Sequence, residues 1–208
     1  MENLMKKFLL FLSFGISLLF SPYLIFLTFF SALSFIFAKD LRQFLPSLLV
    51  GFLFLALIPG AYILWGLETK AIYDLHISHL KERKWPFIII AISALVGSII
   101  FYYLDMKQPI LVLATAYTVN AALIAVITLF WKISIHMALF SGMVTVLIML
   151  FGIQFWPFYL FLLPLGWARV YRKNHTLAQV FLGAVLGFAV TLLIYYFFGY
   201  QINYLAAS

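Results

Sequence analysis

Apolar runs of about twenty residues, separated by short polar breaks, repeat along nearly the whole chain of 208 residues. A hydrocarbon core about 30 Å thick needs runs of that length, because a helix crossing it must satisfy every backbone N–H and C=O within itself. With 66% hydrophobic residues, 9% charged residues and a mean hydropathy of +1.14, the chain is too apolar for a soluble domain and too short to hold one beside its spans. The expected fold class is therefore all-α, a polytopic membrane helical bundle of about six to seven segments, built as a single domain over residues 1–208.

The first run, residues 8–38, is interrupted by Ser21-Pro22, where proline removes a backbone donor and clashes with the preceding turn. It is too long for a secretory signal and lacks a convincing small-x-small cleavage site, so it reads as retained membrane structure, either one bent span or a re-entrant pair. A second span is expected over 45–66, bent at Pro59-Gly60. After the longest polar connection, 67–85, Pro86 opens a third span that ends near Tyr103, and a fourth ends at Phe130. Lys132 to His136 interrupts the chain before a fifth span, 137–151; a short sixth covers 155–167 and a seventh 176–198. Gly183 and Gly187, four apart in the seventh, would let another helix approach closely.

The formal net charge of +7 lies in the connections between these runs, which points to anionic lipid headgroups as partners rather than nucleic acid. The chain has no cysteine, which excludes disulfides, thiolate catalysis and cysteine metal sites. His76, His79 and Glu82, each three apart, drift around a helix and make a poor metal set. The three aspartates, Asp40, Asp74 and Asp105, are far apart, so the paired acidic motifs of magnesium-dependent prenyl transfer are absent.

Counting crossings places 67–85, 131–136 and 168–175 on one side of the membrane, each separated from the next by two spans. All four histidines, His76, His79, His136 and His175, fall on that side, and so do Trp65, Trp85, Trp131 and Trp167, as an interfacial belt would place them. With the first run as one span, that face carries Lys6, Lys7, Lys70, Lys81, Arg83, Lys84, Lys132, Arg169, Arg172 and Lys173. The other carries Lys39, Arg42 and Lys107. The positive-inside rule leans the histidine-bearing face to the cytoplasmic side of a cell membrane.

Three clusters on that face carry the chemistry: 74–86 with Lys81, Arg83 and Trp85-Pro86, then Lys132-Ile133-Ser134-Ile135-His136, then Arg169 through His175. Over residues 60 to 190 or so their order resembles the three signature motifs of the type 2 phosphatidic acid phosphatase family. The family's third motif is Ser-Arg, five residues, His, three residues, Asp; Arg169 and His175 keep its spacing, with Ala168 for the serine and Gln179 for the aspartate. Ser134 and His136 match the second motif, Pro-Ser-Gly-His. Lys81 and Arg83 stand as out-of-register equivalents of the first, a lysine, six residues and Arg-Pro.

The resemblance implies a membrane enzyme that cleaves lipid phosphates without a metal or other cofactor. His175 would be the nucleophile and His136 the acid and base. Arg169, Arg83, Lys81 and Lys132 would clamp the phosphate oxygens, with Ser134 as a further donor. Gln179 would orient His175 without the charge of an aspartate; the equivalent amide substitution in a serine protease costs about 10⁴ in turnover. A phosphomonoester or pyrophosphate on an isoprenoid or diacylglycerol tail is the expected substrate. The rival expectation is a non-catalytic protein of the same family that binds anionic lipid or a partner through the same pocket.

Overall fold

The computed structural model describes residues 2–74, 77, 79–106 and 108–202, with the side chains of residues 2 and 3 left aside. His76 and Lys107 therefore lie outside the described residues. The described chain is all-helical: α1 Glu2–Leu19, α2 Pro22–Phe37, α3 Leu41–Phe52, a π-helical segment Leu53–Leu57, α4 Ile58–Glu68, α5 Lys84–Tyr103, α6 Gln108–Ile127, α7 Ile135–Phe151, a 3-10 segment Ile153–Phe161, α8 Leu162–Tyr171 and α9 Leu177–Phe197. A short 3-10 turn, Leu80–Glu82, precedes α5. Five helical stretches among the described residues are long and apolar enough to cross a membrane: Leu4–Phe37, Leu41–Glu68, Leu80–Tyr103, Gln108–Ile127 and Leu177–Phe197. Ile135–Phe151 is a shorter apolar helix. By length and apolarity, this is a helical membrane protein.

The chain divides into two compact units, one of residues 1–25 and 133–208 and one of residues 26–132. In the second unit the break expected at Pro59-Gly60 takes a specific form. The π-helical turn ends with the Ile58 amide bonded to Leu53 O. In that register the Phe54 carbonyl would take its donor from residue 59, and Pro59 has none. The hydroxyl of Ser93, on α5, donates to Phe54 O instead and satisfies it. Phe30 lies over Gly51, where a Cβ would fall on its ring, and a buried hydroxyl pair, Ser34 and Ser47 at 3.0 Å, ties α2 to α3.

The first unit is built around α7 and α9. A Cβ at Gly183 would lie 2.5 Å from Ser134 O, one at Gly187 would fall on the carbonyl of Ala138, and one at Gly142 would lie 2.9 Å from Thr191 Oγ1. The paired positions advance together along both helices, so α7 and α9 run parallel with their first turns level. Gly183 and Gly187 thus have their expected close neighbour, and it is α7. Met137, Phe140, Val144 and Ile148 of α7 pack with Leu165 and Val180 in the core of this unit.

The first run is broken at Ser21-Pro22 into two helices: Ser21 Oγ accepts from the Leu24 amide at 3.3 Å and Pro22 opens α2. Several other boundaries differ from the sequence expectation. Pro86 falls in the first turn of α5 instead of opening it, and α6 stops at Ile127, before Phe130. His136 is the second residue of α7, not part of a polar break. The expected sixth span, 155–167, is a nine-residue 3-10 segment followed by the ten-residue α8, which carries Arg169 inside it. Gly152, at φ 106, ends α7 and starts the 3-10 segment. The wider 3-10 rise gives the stretch from Ile153 to Tyr171 a contour of roughly 33 Å, enough to carry the chain back along α7.

Gly187→Ala forces the α7 and α9 backbones apart and is expected to cost about 1–3 kcal/mol. Gly15→Ala, where a Cβ meets nothing within 4 Å, serves as the control and costs nothing measurable. Thermal unfolding of the two variants in detergent checks this.

Candidate functional site

α9 begins with a reciprocal cap. Thr176 Oγ1 accepts from the Gln179 amide at 3.3 Å, and Gln179 Oε1 accepts from the Thr176 amide at 3.1 Å. This is the capping box, which satisfies two of the amides that a helix start otherwise leaves without partners. It also fixes the orientation of the Gln179 side chain, because a backbone N–H can only donate and the atom facing it is therefore the oxygen.

The same Oε1 lies 3.2 Å from His175 Nδ1. An acceptor on both sides of that contact is impossible, so Nδ1 carries the hydrogen and donates to Gln179. In the neutral ring the lone pair is then on Nε2. His175 itself is buried.

Around this pair the backbone closes a small circuit. Ser134 N donates to Gln179 O at 3.2 Å, joining the cap residue of α7 to the first turn of α9. The amides of Asn174 and His175 both donate to Arg169 O, at 3.1 and 3.3 Å, folding the loop back over the end of α8. Lys173 turns this corner at φ 57, in the left-handed region where helices commonly end. The Asn174 amide, oriented by its neighbours, accepts from Arg169 Nη2 at 3.2 Å and donates to Arg172 O at 3.0 Å.

Ser134, His136, Arg169, His175 and Gln179 are thus brought to one end of the first unit. Arg169 is 2% exposed, and a buried guanidinium keeps its charge and so favours an anion nearby. Ser134 is fully buried, caps α7 without a side-chain hydrogen bond, and its Oγ has no hydrogen-bond partner among the described residues. The first amides of α7 stand at the positive end of a 17-residue helix. His136, buried, lies in that first turn. The arrangement combines a cation, a helix N-terminus, a hydroxyl and two imidazoles, a set suited to holding a phosphoryl group and attacking it.

The remaining expected phosphate ligands belong to the second unit and are described there. Arg83 is buried; its Nε donates to Ile77 O at 2.9 Å, its guanidinium lies 5.6 Å from the Phe87 ring centre, and Asp74 acts favourably on its charge. Ile77 has φ 48, a strained value for a β-branched residue, so Arg83 holds a strained loop in place. Lys81 is exposed on the 3-10 turn and Lys132 is half-buried at the end of the unit. Glu82 accepts from the Tyr73 amide at 3.0 Å and His79 stands edge-on to the Tyr73 ring, which gives both loop-forming contacts. Among the described residues no three His, Asp or Glu side chains gather as a metal set.

Thr176 and Asn174 join the site without being among the residues expected from the sequence. Thr176 had a signal, since Thr-x-x-Gln before an apolar run is a capping-box pattern. Asn174 had none, because its two contacts depend on how the loop folds back. Comparison of the chain with family models, with curated proteins and with solved structures gave no match.

Thr176→Ala is expected to cost about 0.5–2 kcal/mol. Gln179→Ala removes the other half of the same box, so the double variant costs less than the sum of the two singles by about 0.5 kcal/mol or more. Denaturant unfolding in detergent measures the coupling.

Proposed function

We propose that the protein is a lipid phosphate phosphatase or phosphotransferase of the phosphatidic acid phosphatase type. It would act without a metal on a phosphomonoester or pyrophosphate carried by an isoprenoid or diacylglycerol tail. One observation carries the reading: the bond from His175 Nδ1 to Gln179 Oε1 puts the neutral ring's lone pair on Nε2, in a residue whose amide is bonded to the carbonyl of the buried Arg169.

In the proposed reaction Nε2 of His175 attacks phosphorus; a P–N bond forms as the bond from phosphorus to the lipid oxygen breaks. The departing oxygen takes a proton from His136. A water then attacks the phosphohistidine, His136 accepts its proton, the P–N bond breaks and phosphate leaves. An alcohol in place of water gives transfer instead of hydrolysis. Arg169, the Ser134 hydroxyl and the first amides of α7 stabilise charge on the phosphoryl oxygens. Lys132, Arg83 and Lys81 are the further cations that the family resemblance assigns to the phosphate. A lipid substrate follows from the membrane setting, its tail remaining in the bilayer, and the positive-inside count leans the site to the cytoplasmic side of a cell membrane.

Gln179 favours a second reading. Its amide orients the ring but cannot neutralise the positive charge that the ring gains on phosphorylation, as an aspartate would. A protein that binds anionic lipid without turnover fits that neutrality.

Phosphate release from a panel of lipid phosphates, in detergent with chelator, separates the two. The catalytic reading predicts release by the wild type, loss to background in His175→Ala, a fall of about 10²–10⁴ in His136→Ala, and faster turnover in Gln179→Asp. Equal rates for wild type and His175→Ala would sink the mechanism. No release by wild type or Gln179→Asp, with lipid phosphate still raising the unfolding temperature, would favour binding alone.

A further inference from the structure

Two arginines close α8, and their surroundings differ. Arg172 is the C-cap, and its amide still bonds to Ala168 O at 3.2 Å, so Arg169 and Arg172 leave the helix in the i, i+3 relation, on one face. Like charges so placed repel each other, and the arrangement is relieved by an anion between them. Asn174 serves both residues but differently: its oxygen accepts from the guanidinium of Arg169, whereas its nitrogen reaches only the backbone carbonyl of Arg172.

The Arg172 guanidinium lies 5.1 Å from the centre of the Phe14 ring of α1. Its Nη1 is buried, and no acceptor among the described residues reaches it. The charge thus lies over the Phe14 ring, and an aromatic face satisfies charge but not the N–H directions. A desolvated charged donor without an acceptor is costly, and a headgroup oxygen would remove that cost.

We propose that Arg172 is a specificity residue that binds a second phosphoryl group, adjacent to the one held by Arg169, so that the site prefers a lipid diphosphate over the monophosphate of the same tail. This rests on the reading of Arg169 and His175 as a phosphate site. Phe14 is the positioning residue: its ring holds the guanidinium charge, so that the planar fork meets the second phosphoryl group through two N–H donors.

The test measures binding of a prenyl monophosphate and a prenyl diphosphate of equal length to the detergent-solubilised full chain, with turnover assayed in parallel. Wild type is expected to bind the diphosphate about tenfold more tightly or better, the range of one charge-assisted contact. Arg172→Gln should remove that preference and change monophosphate affinity by less than about threefold, while Arg172→Lys, which lacks the fork, keeps only part of it. Phe14→Leu should weaken the preference in the same direction. Retention of the full preference in Arg172→Gln, or an equal loss for both lipids, overturns the assignment. Inorganic pyrophosphate binding as tightly as the lipid diphosphate overturns the lipid source. A preference that depends on Arg172 in a protein that releases no phosphate supports this assignment and refutes the catalytic reading, so the two fail separately.

Discussion

Two oxygens of Gln179 hold three donors from two places in the chain. Its backbone carbonyl takes the Ser134 amide at the start of α7, and its side-chain oxygen takes the Thr176 amide and the His175 ring. Each bond alone contributes on the order of 1 kcal/mol. Together they fix the start of α9, the register of α7 against α9 and the orientation of the imidazole. The glycine seam makes this possible: Gly183 and Gly187 bring the backbones of α7 and α9 close enough for the Ser134 amide to reach the first turn of its neighbour.

That register gives the candidate site its composition. Parallel α7 and α9 place two helix starts side by side, so the amides of one lie near the imidazole that precedes the other. α8 then contributes Arg169, whose carbonyl accepts the amides of residues 174 and 175 and thereby holds the loop that carries His175. An aspartate at position 179 would complete the same cap and carry charge as well. The glutamine keeps the geometry and gives up the charge, which separates the orientation of His175 from its electrostatic activation.

Much of this could be read from the chain. Apolar run length gave the helices, and crossing parity put residues 134 and 175 at the same end of the bundle, as the Ser134 to Gln179 bond shows. Gly183 and Gly187 marked a close approach before the approaching helix was known. The boundary near His136 differs from the expectation because a polar residue in the first turn of a helix looks, in a hydropathy profile, like part of the preceding break. The segment 153–161 was unreadable for a different reason: 3-10 and α-helices have the same composition, and only the hydrogen-bond pattern separates them. The role of Gln179 is half legible: the missing charge is evident from the sequence, and the cap that it shares with Thr176 joins it to His175 only in the folded loop. The place of Arg83 before Trp85-Pro86 is legible in the sequence, whereas its bond to Ile77 O depends on tertiary structure that no local pattern encodes.

The proposed chemistry depends on which nitrogen of His175 carries the hydrogen. Long-range ¹H–¹⁵N correlation spectra of the protein labelled at histidine, in micelles at a pH where the ring is neutral, report this directly. The bond to Gln179 predicts a protonated Nδ1 and an unprotonated Nε2 for His175, with that preference lost in Gln179→Ala. A hydrogen on Nε2 in the wild type, or a spectrum unchanged by Gln179→Ala, would contradict it.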